Sequence, residues 1–125
     1  MAGDVRSSAQ DQPQPKMPVV DFTSVLISYD EEGDILHLKF APPRPATSIG
    51  WGPETWLRAD PITGDVFGME IEGFTTAYLK RHRQVASVWA QATGFHLDRL
   101  PERVRVPLVK GILKGADLLR AAAAP

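Results

Sequence analysis

Two stretches of the chain share one layout, and it limits what the chain can fold into. "YDEEGDILHLKF" spans Tyr29 to Phe40 and "ADPITGDVFGMEI" spans Ala59 to Ile71. Each runs Asp, a short gap, Gly-Asp, then an alternating segment. In the first, Leu36, Leu38 and Phe40 fall on one face, with Ile35, His37 and Lys39 on the other. In the second, Phe67, Met69 and Ile71 oppose Val66, Gly68, Glu70 and Glu72. A period of two is strand geometry. Each segment follows another alternating run, "VLISYD" (Val25, Ile27 and Tyr29 on one face) and "TWLRAD". Alternating runs joined by short Gly-containing loops read as β-hairpins.

The shared aspartates and glycines invite a ligand reading, calcium above all, since Asp30, Glu31, Glu32 and Asp34 crowd five positions. A calcium loop needs oxygen ligands at alternating positions and a distant bidentate Glu, and that spacing is not present. Turn chemistry explains the residues better. Asp30 or Asp60 can accept a hydrogen bond from the backbone two residues on. Pro61 presets φ, and Gly33 or Gly64 supplies a left-handed residue to close the loop.

Around the hairpins the composition shifts. Residues 1–18 are polar and proline-rich, which predicts a disordered tail. "APPRPATSIGWGPE" (Ala41–Glu54) carries four prolines and reads as a surface connection. Beyond Phe74, Thr75 or Thr76 can cap a helix over "AYLKRHRQVASVWAQAT", with Gly94 at its C-terminal end. Leu79, His82, Val85, Ala86 and Trp89 form its stripe. A second helix is expected to start at Pro107, with Leu108, Val109, Ile112, Leu113, Ala116 and Leu119 as its apolar face. Gly111 and Gly115 in it can admit a second helix closely. The expected fold is α+β, a four-stranded antiparallel sheet from two β-hairpins followed by two C-terminal helices. Its divisions are a tail at 1–18, a β-hairpin domain at 19–75, a helical extension at 76–121 and a frayed end at 122–125.

Tyr29, Asp30, Asp34, Asp60, Gly64, Gly68, Glu70 and Ile71 match the pattern of the domain-of-unknown-function family numbered 2283, and residues 24–75 resemble its small proteins. His37 departs from the pattern, which usually has an aromatic there. The resemblance implies a small β-rich domain without an established activity. Some members look like partners of small toxins, so it also implies an antitoxin role.

Composition narrows the functions. The chain has 125 residues, 43% of them hydrophobic, a size for one domain with a modest core. It has no cysteine, so disulfides and thiol chemistry are excluded. The net charge of −1 gives no general pull toward nucleic acid or anionic membranes. The first residues lack the apolar stretch of a secretory signal, and no run approaches the roughly 18 apolar residues of a membrane span, so a cytoplasmic location is expected. No metal site or cofactor is expected.

Three functional classes follow. The favoured one is a non-catalytic protein-interaction module, an accessory or structural subunit of a larger assembly, with Trp51, Trp56, Leu108, Ile112 and Leu119 as partner-binding residues. The alternative is an antitoxin-like or nucleic-acid-associated regulator, with Lys80, Arg81 and Arg83 of "KRHR" as phosphate contacts. The least supported is a small hydrolase using His37 and Glu70, since no nucleophile motif or Gly-rich phosphate loop accompanies them.

Overall fold

A computed structural model describes residues 4–6 and 13–119. The chain is α+β. Five antiparallel strands form the sheet: β2 (Leu26–Asp30), β3 (Ile35–Lys39), β4 (Ala46–Gly52), β5 (Thr55–Ala59) and β6 (Val66–Glu72). A short strand, β1 (Asp4–Arg6), adds parallel to β4, giving the order β1-β4-β5-β6-β3-β2. Both expected hairpins are present, β2–β3 and β5–β6, and β3 pairs with β6 to join them.

Pairing register follows the hydrophobic alternation except at the irregularity beside Ala59, where Val66 joins the core and Phe67 faces the other side. One row across the sheet reads Ile27, Leu38, Met69, Leu57 and Ile49. All five are buried. The helices cover this face: α1 (Leu79–Arg81), α2 (Arg83–Ala92) and α3 (Glu102–Gly115). Val85, Val104, Leu108, Ile112 and Leu113 join the same cluster as the sheet residues, so sheet and helices share one core. Burying each such side chain contributes about 1.5–3 kcal/mol. The segment 76–121, as far as it is described, is therefore half of the core rather than an extension from it. A ladder of rings, Tyr29, Phe74, Tyr78 and His82, runs along the join, with Trp89 edge-on to Phe74 at 4.9 Å.

Five expectations need correction. The segment read as a connection contains β4, because its prolines flank the strand at 42, 43, 45 and 53 and leave "ATSIGWG" free to pair with β5. The tail is not wholly loose. Lys16 donates to Gly64 O and accepts from Val66 N, both at 2.9 Å, and β1 closes the edge of β4. Residues 1–3 and 7–12, and the end at 122–125, lie outside the described residues. The first helix is not continuous. A π-turn (Phe74–Tyr78) begins after Gly73, and His82, with φ −124° and ψ 75°, breaks the helix between α1 and α2. α3 starts at Glu102, with Pro107 inside it; the extended backbone of Pro101 sets the start instead. Gly94 is not left-handed, the α2 end closing on Thr93.

The two turns are built differently. In the second, Asp60 Oδ1 accepts from Ile62 N at 2.8 Å and Thr63 N at 3.0 Å, as expected. Gly64 takes φ +81°, and a Cβ there would lie 2.2 Å from Gln14 O. In the first, the left-handed residue is Asp34 (φ 55°) rather than Gly33. Asp tolerates that region better than most residues.

Candidate functional site

Among the described residues no helix covers the opposite face of the sheet. Its register rows read Ser28–His37–Glu70–Trp56–Gly50 and Leu26–Lys39–Gly68–Arg58–Ser48. Strand alternation puts them there, because their neighbours in sequence fill the core. His37 Nδ1 lies 3.5 Å from Glu70 Oε2, and Arg58 Nη1 lies 3.9 Å from the same oxygen. Arg58 Nη1 also donates to Ser48 Oγ at 3.2 Å, and Trp56 Nε1 donates to Glu72 Oε1 at 3.0 Å. Arg58 and Glu70 therefore offset one another on this face. Cross-strand pairs of this kind contribute about 0.2–1 kcal/mol each.

The proline-rich segment borders this face. Arg44 pins it: the guanidinium sits 5.2 Å from the Phe67 ring centroid and 3.9 Å from Asp60 Oδ2. A cavity of about 190 Å³ opens between Pro43, Phe67 and the His37–Glu70–Arg58 cluster, with Gly68 in its lining. A second, lined by Leu26, Phe40, Pro42 and Pro43, shares Lys39 with it. Leu26 is 63% exposed there, at the sheet edge formed by β2 and beside Lys39 and the prolines.

Glu70 is held between His37 and Arg58, the Ser48 hydroxyl accepts from Arg58, and Ser28 is the cross-strand neighbour of His37. A Ser–His pair needs the two within about 3 Å. Among the described residues no group of three His, Asp or Glu side chains is placed to hold a metal ion.

The expected partner-binding residues separate. Trp56 lies on the open face, half-buried. Trp51, on β4, is 38% exposed and donates from Nε1 to Ala116 O at 2.6 Å. Leu108 and Ile112 are fully buried in the core of their own chain, and half-buried Leu119 packs on it, so the last helix does not offer them to a partner. The apolar stripe of α3 is satisfied by the sheet and α2. Gly111 and Gly115 allow this contact: added Cβ atoms would lie 3.3 Å from Val85 Cγ2 and 3.1 Å from His82 Nδ1.

The basic residues of "KRHR" also separate. Arg81 forms a two-pronged ion pair with Glu54, its Nη1 donating to Oε2 at 3.0 Å. Arg81 and Arg83 line one cavity with Lys114, and Lys80 is exposed outside it. Tyr78 and Lys114, absent from the expected site, belong to this region. Burial pushes the Tyr78 phenol up to about 12, and burial, then the Arg81 cation, lowers the His82 imidazole.

No helix of the described residues is long and apolar enough to cross a membrane. No family model, no curated protein and no solved structure matches the chain.

Proposed function

We propose that the chain is a non-catalytic interaction module that binds another protein through the open face of its sheet. The observation that carries this is the exposure of Leu26 on a helix-free face, beside Lys39 and the Pro42–Pro43 wall. Leu26, Phe40 and the two prolines line one pocket there, and apolar surface of this kind gains from being covered. The Arg58–Glu70 ion pair, with His37 beside it, fits a recognition surface better than a reactive centre, because neighbouring strands already hold its geometry. An accessory subunit of a larger assembly fits this reading.

The test is co-purification from the native host with the wild-type chain and a Leu26→Asp, Lys39→Glu variant. Both positions are exposed, so the variant keeps the fold. A protein enriched with wild type and lost with the variant supports the reading. Equal enrichment, or a wild-type chain that runs alone, contradicts it.

A further inference from the structure

The sheet closes one of its edges and leaves the other open. β1 pairs along β4, whereas β2 ends the order with no strand beyond it among the described residues. The 3-10 turn Leu97–Arg99 lies beside β2 and sends Leu97 into the core. Among the described residues no backbone bond reaches β2 from outside the sheet. The outward groups of β2 follow from the ladder. Phe40 N donates to Phe67 O at 2.9 Å, one step beyond the Lys39–Gly68 pair. Successive amides of a strand point to opposite sides, so Ile35, His37 and Lys39 turn theirs to β2. Their register partners there are Asp30, Ser28 and Leu26. Ile27 and Tyr29 therefore turn their N–H and C=O groups away from the sheet.

Native edge strands are blunted by proline, lysine or a bulge. β2 has no proline or lysine, and it pairs with β3 without a register shift. Its open-face side chains run from apolar to acidic. Leu26 stands at one end, beside the pocket it shares with Phe40, Pro42 and Pro43. Ser28 is exposed in the middle. Asp30 is exposed at the other end, followed by exposed Glu31 and Glu32, and no cation of the described residues pairs with them.

We propose that the partner docks by adding an extended segment antiparallel to β2, as one more strand of the sheet. The proposal rests on the open face being a protein-binding surface and specifies how that surface is met. The backbone of the segment bonds Ile27 and Tyr29. The segment carries Lys or Arg opposite Asp30 and, four positions later, an apolar residue opposite Leu26. Opposite charges on facing strands attract, and the apolar side chain covers the exposed flank of Leu26. A second copy of the chain does not meet this requirement, because "LISYD" carries no basic residue.

The test is titration of the full chain with synthetic peptides, followed through its backbone amide resonances. The first peptide has the core Lys-Val-Thr-Val-Leu between two serines at each end. It is expected to bind saturably and to shift the Ile27 and Tyr29 amides most. Replacing its Lys by Glu should weaken it about fivefold, and Asp30→Lys in the protein should narrow that gap. N-methylation of both Val residues, which face Ile27 and Tyr29, removes the bonding donors and should weaken it at least about tenfold. N-methylation of the Thr, whose amide points away from β2, should change it less. Equal effects of the two methylations would overturn strand addition. So would a first peptide that does not bind, unmoved Ile27 and Tyr29 amides, or a chain that dimerises through β2 on its own. A host protein displaced by the first peptide supports both the open-face reading and strand addition. A host protein lost with the Leu26→Asp, Lys39→Glu variant but not displaced by that peptide would overturn strand addition and leave the open-face reading standing.

Discussion

The Tyr29 hydroxyl donates to Asp34 Oδ1 at 2.6 Å, inside the first hairpin, and orients the carboxylate that ties this hairpin to the start of the helical layer. Asp34 accepts four more bonds, and these cross the join. Thr75 N and Oγ1 each reach Oδ1 at 2.9 Å; Thr76 N and Oγ1 reach Oδ2 at 3.1 and 2.9 Å. The two threonines thus receive a cap from another element instead of capping a helix themselves.

Replacing Asp34 by Asn isolates the charge, since Asn also tolerates positive φ. The expected loss is about 1.5 kcal/mol, the low end for bonds to a charged group because the site is partly open to water. Urea unfolding measures it. An unchanged midpoint would mean that the join is held by packing alone.

The same carboxylate makes stability depend on pH. Burial alone would raise its pKa, but the hydrogen bonds, that of Tyr29 first, outweigh burial and hold it far below the ordinary 3.8. A depressed folded-state value means that the unfolded chain binds more protons in acid. The contribution is therefore complete above the unfolded-state pKa and is lost as pH falls toward the folded one. Stability should decline between roughly pH 5 and pH 2, and Asp34→Asn should decline less steeply. Parallel slopes in a melting series would contradict this.

Gly64→Ala should cost at least about 1 kcal/mol, from its left-handed backbone and its contact with Gln14 O. The loss should be local. Hydrogen exchange at Lys16 N and Val66 N should quicken before that of the β3–β6 ladder.

Ile112→Ala should cost about 2–5 kcal/mol, the range for a fully buried aliphatic side chain. A near-neutral result by urea unfolding would place α3 off the sheet and return its apolar face to a partner.

The hairpins were legible because each carries its own turn residues and alternation within a dozen positions. His37 and Glu70 could be placed on one face by parity, though not in direct register. β4 was hidden because Ala46, Thr47, Ser48 and Gly50 give little apolar alternation and prolines stand on both sides. The break at His82 has no local breaker residue; it coincides with the stacking of that ring on Tyr78 and its contact with Gly115, which lies far along the chain. The Asp34 cap joins residues 41 and 42 positions apart, beyond the reach of any local pattern.

The central claim is that the open sheet face meets a partner protein. A photo-crosslinking residue at position 39, on that face, and another at the exposed position 87 on α2 test it most directly in the native host. The account predicts one discrete protein adduct from position 39, lost when Leu26→Asp is added, and none from position 87. The same adducts from both positions, or none from position 39, would contradict it.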